Sequence, residues 1–242
     1  MTKRPYVFCH METSIDGKIM GRYMGVAHGG NPFYRLAFGD DPYYKHQGWI
    51  SGRITTDDNF TNYRKPDLDE NAPEVPAGDF IARKADKYYI SVDGRGVLGW
   101  KSHVLKYGDT VADVVEVLTD RASNAYKAFL RDKGISYIIC GKDKLDMELM
   151  LQKMAELFGA ETLMLGGGGT LNWSFVQAGL CDEISLVIAP AADGSQETQT
   201  LFMAKEPFTD DSPQRFELLG VERTEGDCLW VRYAVPGAKP RG

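Results

Sequence analysis

The stretch Glu161–Pro190, ETLMLGGGGTLNWSFVQAGLCDEISLVIAP, sets a short apolar run (Leu163, Met164, Leu165) directly before four glycines, Gly166 to Gly169. Leu171, Phe175 and Val176 then recur on one helical face up to Gly179, and a second apolar run, Ile184 to Ala189, closes the unit at Pro190. The pattern predicts strand, glycine loop, helix and strand. Glycine lets a backbone approach a ligand with no Cβ in the way, and the first N–H groups of a helix are free to meet an anion. A phosphate-bearing ligand is the functional expectation. A plain surface turn is the alternative that four glycines alone leave open.

Upstream of this unit the elements alternate. Val114–Leu118 predicts a strand, Ser123–Lys133 a helix ending before Gly134, and Ile135–Cys140 a strand. Asp146–Phe158 carries Met147, Met150, Leu151, Met154 and Phe158 at helical spacing, with Gly159 as its stop. Strands and helices alternating at this pace imply βαβ crossovers and a largely parallel sheet. In the first half, Tyr6–Met11 predicts a strand turning at Asp16-Gly17, and Gly25–Pro32 a mobile loop. A helix is expected from Pro32 to Phe38, and short strands at Trp49–Ser51 and Tyr88–Val92. Residues 62–79, with three prolines and many acids, read as a surface insertion, 193–213 as a loop and 236–242 as a flexible tail. Phe216–Val221 and Leu229–Val235 predict a terminal antiparallel pair. One α/β domain over 1–242 is the economical reading.

A hydrophobic fraction of 43% suffices for a packed core, and no stretch approaches the roughly 18 consecutive apolar residues of a membrane helix. The start of the chain does not read as a signal peptide, because the apolar run after Arg4 is short and broken by His10. A net charge of −6 argues against nucleic acid or an anionic membrane as partner. Cys9, Cys140, Cys181 and Cys228 are far apart with no C-x-x-C pair, so free buried thiols in a reducing cytoplasm fit better than zinc or disulfides. His10, His28, His46 and His103 show no metal-ligand spacing, and no metal is expected.

Ligands of open parallel sheets bind beyond the carboxyl ends of strands. Three expected strands end in Thr119-Asp120-Arg121, in Gly141-Lys142 and in the glycine loop. Glycines and two cations at one sheet edge suit a nucleotide with several phosphates, although each cation alone reads as a solvated surface charge. GGGGTL meets the G-x-G-x-x-G fingerprint only loosely, since Leu171 holds the last place. Asp182-Glu183 stand where a helix turns into a strand, at the edge away from a ribose. No Lys-Ser or Lys-Thr follows the glycines, which excludes a Walker loop, and no G-x-S-x-G elbow exists.

Several motifs in order resemble one family, the reductase domain of bacterial riboflavin biosynthesis within the dihydrofolate reductase-like superfamily. They are Arg4-Pro5-Tyr6-Val7 through Ser14-Ile15-Asp16-Gly17-Lys18-Ile19, Gly52-Arg53-Ile54-Thr55, Tyr89-Ile90-Ser91-Val92-Asp93, and the G-G-x-L, A-G-L-x-D-E and I-A-P signatures within Gly166–Pro190. The resemblance runs from about residue 4 to 235. It implies a three-layer α/β/α fold with a mostly parallel sheet and a C-terminal antiparallel pair. It also implies hydride transfer from NADPH to a C=N or C=O group of a pyrimidine-like or sugar-derived small molecule, without flavin or metal.

By the same resemblance the diphosphate lies on the Gly166–Gly169 loop with Thr170 and Leu171, and Gly52, Arg53 and Thr55 meet the cofactor from the other side. Arg121 and Lys142, with Thr119 beside them, are the candidates for the 2′-phosphate. Asp16 would anchor substrate or order a proton-delivering water, unless it only builds its turn. His10 would supply a proton, unless strand alternation makes it a core hydrogen bond. Two positions depart from the family pattern. His10 stands where a lysine is usual, and Leu165 precedes the glycines where the family sets a glutamate. The substrate side is therefore expected to be altered. A catalytically silent nicotinamide-binding module and a phosphosugar- or nucleotide-dependent transferase are the rival readings. Relatives of this kind pair through C-terminal strands, which implies a homodimer along Leu229–Val235.

Overall fold

The computed structural model describes residues 4–26, 29–206 and 209–241. The chain forms two compact units, one built on Gln47–Glu161 and the other on Tyr6–His46 with Thr162–Pro240. In the first unit, β2 (Gly48–Gly52), β3 (Tyr88–Val92), β5 (Thr110–Leu118) and β6 (Ser136–Ile139) run parallel in that order. Their carboxyl ends share one sheet edge. β3 is buried along its whole length, as a parallel strand covered on both faces should be. The helices are the short α2 (Arg53–Thr56), α3 (Asn124–Asp132) and α4 (Met147–Phe158). Ser123 caps α3 through the Tyr126 N–H, and Asp146 caps α4 through the Leu149 N–H. Gly159, at φ +71°, ends α4 in the left-handed region.

In the second unit, β7 (Thr162–Leu165), β1 (Tyr6–Thr13) and β8 (Glu183–Ile188) are parallel. β10 (Leu229–Ala234) and β9 (Glu217–Arg223) add the antiparallel pair expected from the C-terminal runs. Strand alternation splits β1 between two faces. Phe8 stacks on Tyr44 at 4.1 Å and His10 on Phe33 of α1 (Gly30–Phe38) at 4.6 Å, whereas Met11 points to the glycine loop that opens α5 (Gly169–Gln177). The dihydrofolate reductase-like α/β architecture with a mostly parallel sheet is thus present. Among the described residues no helix is long and apolar enough to cross a membrane.

Several details differ from the sequence reading. β4 (Val104–Tyr107) forms a hairpin with β5 that the reading omits, closed by Gly108-Asp109 with Gly108 at φ +58°. Gly-Asp between two runs is a hairpin signal, but the half-exposed VLKY run is too short to announce a strand. α1 starts two residues before Pro32. On α5 the fully buried place beside Phe175 and Val176 goes to Asn172, and Leu171 is half-buried. Glu183 is no turn residue. It is buried at the start of β8, where Tyr6 donates to Oε2 at 2.6 Å, Tyr44 donates to Oε1, and Arg232 approaches to 3.8 Å. Part of the loop read over Gly25–Pro32, including His28, and part of that over 193–213 lie outside the described residues. The 62–79 segment has no regular structure, yet Asp79 Oδ1 accepts from Lys153 Nζ and from the Ile139 N–H at 2.8 Å each. In the tail, the Lys239 N–H donates to Gly179 O at 2.8 Å.

Candidate active site

In the second unit, the register Tyr6↔Thr162 through Cys9↔Leu165 sets the end of β1 beside the glycine loop. Gly167 has φ +97°, and the Gly167–Gly168 peptide is cis. A Cβ on Gly167 would stand 3.1 Å from Met11 Cε. A Cβ on Gly169 would fall 2.3 Å from Thr200 O, a backbone atom that cannot yield cheaply. The segment Gln199–Met203 roofs the loop. The Met203 N–H donates to Gly169 O at 3.2 Å and Asn172 Nδ2 to Leu201 O at 3.1 Å. The same strap is tied to the first turn by Ile19 N–H to Gln199 O and Leu201 N–H to Gly17 O. Two of the four glycines therefore answer to the protein's own close packing.

What the loop leaves open is the N-terminus of α5. The first bond of the helix is Asn172 N–H to Gly168 O at 3.0 Å, so the N–H groups of Gly169, Thr170 and Leu171 have no acceptor within the helix. Thr170 is exposed, and Asn172 Oδ1 is buried with no partner among the described residues. The N–H groups offer donors to an anionic oxygen at the exposed Thr170, while Asn172 is fully buried beneath them.

Asp16 is exposed, with both carboxylate oxygens engaged. Ser14 Oγ donates to Oδ1 at 2.6 Å and the Gly194 N–H to Oδ2 at 3.1 Å, and the Ser14 bond holds its pKa below the ordinary value. His10 is fully buried within β1. Nε2 lies 3.0 Å from Phe33 O, which can only accept, so Nε2 carries the hydrogen and Nδ1 accepts from Ser185 Oγ at 2.9 Å. Burial lowers its pKa to about 4. Glu12, which no motif singles out, is half-buried two residues further along β1, with its pKa raised by burial.

In the first unit, the four parallel strands bring Gly52, Arg53, Thr55, Thr119, Arg121 and Lys142 to one carboxyl edge. Arg53 Nη1 is 3.4 Å from Asp57 Oδ2 and the arginine side chain is 44% exposed, so it is available to a ligand. The Thr55 carbonyl accepts from Asn59 Nδ2 at 2.7 Å. Thr119 is buried. Its hydroxyl donates to Gly94 O at 2.6 Å and accepts from the Arg121 N–H at 3.3 Å, so it shapes the edge. The Asp120 N–H donates to Gly141 O at 3.1 Å, drawing the ends of β5 and β6 together, with Arg121 and Lys142 exposed on them.

Below this edge lies a buried polar cluster that the sequence reading missed. Glu116 is fully buried. Oε1 accepts from Trp100 Nε1 at 2.5 Å, while Oε2 has no partner among the described residues. Desolvation, with Asp93 adding to it, raises its pKa well above the ordinary value. Asp93 accepts from the N–H groups of Val97 at 2.6 Å and Leu98 at 3.0 Å. Mid-strand position in a run of valines (TVADVVEVL) is the only trace Glu116 leaves in the sequence.

Comparison with known proteins adds the relationship. Two proteins named 2,5-diamino-6-ribosylamino-4(3H)-pyrimidinone 5′-phosphate reductase are similar to this chain. That of Methanothermobacter thermautotrophicus is 34% identical over 105 residues, 43% of this chain and 48% of that protein, so the match spans about half of it. That of Aquifex aeolicus is 24% identical over 199 residues, 82% of this chain and 83% of that protein. Among experimental structures, a pyrimidine reductase-like protein from Corynebacterium diphtheriae superposes with a TM-score of 0.62 at 15% identity, covering 96% of this chain and 92% of that one. Acinetobacter baumannii RibD superposes with a TM-score of 0.60 at 19% identity, covering 96% of this chain but 58% of that one. At such identities the likeness is one of fold. The model of the RibD C-terminal domain matches residues 5–229, and with that span the chain belongs to the RibD C-terminal domain family.

Proposed function

We propose that this protein is an NADPH-dependent reductase that reduces a C=N or C=O group of a pyrimidine-like, sugar-bearing small molecule. The observation that carries the reading is the N-terminus of α5, where the N–H groups of Gly169, Thr170 and Leu171 have no acceptor within the helix and suit a diphosphate. When bound, the nicotinamide supplies the hydride. The protein's share is binding and orientation. Gly166 to Leu171 would hold the diphosphate, Gly52, Arg53 and Thr55 would meet the cofactor from the other side, and Arg121 and Lys142 would take the 2′-phosphate as a fork and a point charge. Thr119 positions Arg121. The names of the two relatives support a ribosylaminopyrimidine phosphate as the substrate class.

Asp16 would order the turn beside the substrate, and His10, neutral and fully bonded, would hold α1 against β1. Four buried cysteines with no disulfide among the described residues support a reducing cytoplasmic location. The outer strand β9 carries Leu218, Leu219 and Val221 at 50–59% exposure, with Leu229 of β10 at 43%, which supports a homodimer through this edge.

A thermal-shift series with NADPH, NADH and NADP+, followed by turnover of 2,5-diamino-6-ribosylamino-4(3H)-pyrimidinone 5′-phosphate, tests the reading. Stabilisation by NADPH above NADH together with NADPH oxidation is expected. The silent-module alternative, favoured by a buried neutral His10 where the family resemblance sets a lysine, gives the stabilisation without the oxidation.

A further inference from the structure

The carboxyl end of β1 carries two acids in opposite environments. Asp16 is in water with both oxygens occupied and stays ionised. Glu12 lies on the α1 face of β1 that also bears His10, opposite Val187 of β8. A Cβ on Gly29 would stand 2.7 Å from the Glu12 carboxyl and 2.9 Å from Ala189 Cβ, and one on Gly30 would stand 3.5 Å from Oε2. The buried Gly29 backbone thus packs directly against the carboxyl, which stays half-exposed, and among the described residues nothing hydrogen-bonds to it. Its other neighbours are Tyr23, whose hydroxyl is 3.5 Å from the Glu12 carbonyl, and Cys228, whose thiol feels the Glu12 charge. Tyr23 in turn feels Asp16 and Asp193, and among the described residues no cation pairs with Glu12, so an ionised form gains no partner there. Two carboxyls whose surroundings separate their proton affinities mark distinct roles.

We propose that Glu12 is the catalytic carboxyl of this protein, hydrogen-bonding the heteroatom of the substrate's C=N or C=O group and supplying its proton. The proposal rests on the reductase reading. On reduction the carbon gains a hydride, the C=N or C=O electron pair moves to the heteroatom, and the heteroatom takes the proton from Glu12 Oε. Water then returns a proton to the carboxylate. Partial burial keeps that proton on Glu12 at higher pH than on an ordinary glutamate.

The experiment uses Glu12→Gln and Glu12→Asp in the full chain, with three readouts. NADPH binding by calorimetry should be unchanged in both. With the pyrimidinone phosphate named above, Glu12→Gln should lose about a hundredfold in kcat/KM and the alkaline fall of its pH profile, and Glu12→Asp should restore part of both. In protein labelled with 13C at glutamate carboxyls, the resonance lost in Glu12→Gln should titrate above the ordinary glutamate range and shift on adding the pyrimidinone phosphate. Full turnover in Glu12→Gln with NADPH bound, or a carboxyl that titrates normally and ignores the substrate, overturns this proposal alone. A wild type that binds no NADPH overturns the reductase reading, and this proposal with it.

Discussion

Ser185 Oγ lies 2.9 Å from His10 Nδ1 and also accepts from Trp230 Nε1 at 2.8 Å, so one hydroxyl joins β1, β8 and β10 in the interior. The indole can only donate, which turns the serine hydrogen toward the imidazole and leaves His10 neutral. A neutral buried histidine couples stability to pH. Its pKa falls from 6.5 to about 4 on folding, which at about 1.4 kcal/mol per unit corresponds to about 3 kcal/mol. Because the folded pKa is the lower one, this contribution is complete above pH 6.5 and is lost as pH falls toward 4. Urea unfolding from pH 7.5 to 4 should show that decline, and His10→Asn should flatten it. A His10 ring resonance titrating near 6.5 in the folded protein would contradict the assignment.

Gly169→Ala should be costly. Its Cβ would meet Thr200 O at 2.3 Å, so either the strap 199–203 or α5 must move, at about 1–3 kcal/mol. Gly159→Ala, with nothing within 4 Å of the new Cβ, should cost only its left-handed backbone, about 1–2 kcal/mol. Amide exchange separates the two variants. Faster exchange at Leu201 and Met203 is expected in Gly169→Ala and absent in Gly159→Ala.

Glu116→Gln should stabilise the protein at alkaline pH. The folded pKa of Glu116 is raised, so ionisation opposes folding as pH climbs above 4.5, in the field of Asp93 and Asp57. Glutamine imitates the protonated acid and its carbonyl still accepts from Trp100 Nε1. Its melting temperature should exceed the wild type's by about 2–4 °C at pH 8 for each kcal/mol gained, and the difference should vanish near pH 5. An unchanged melting temperature at pH 8 would refute this.

Arg121→Ala should weaken NADPH about tenfold while sparing NADH, since only the former carries the 2′-phosphate. Calorimetric titration of both cofactors decides it. Equal affinity of wild type and variant for NADPH removes Arg121 from the site.

Much of the architecture was legible because local chemistry and periodicity agreed. Asp146 to Gly159 announces a capped helix, Leu163 to Ala189 a strand–helix–strand unit, and Asp16-Gly17 a turn, each through signals close together along the chain. Leu229–Val235 was legible as a strand for the same reason. The hairpin at Gly108-Asp109 escaped because its first strand is four half-exposed residues.

The candidate site was legible only as residue types at strand ends. Sequence alone determined most of the elements, that the sheet is mostly parallel, and which glycines and cations stand at carboxyl edges, because these follow from spacing along the chain. Tertiary structure decided what those residues do. Gly169 yields to a strap thirty residues away, His10 is held neutral by burial between Ser185 and Phe33, and the pKa of Glu116 is raised by burial and by Asp93 at the end of a separate strand. Solvation and hydrogen bonding across distant segments set these states, and neither is written in any local run of residues.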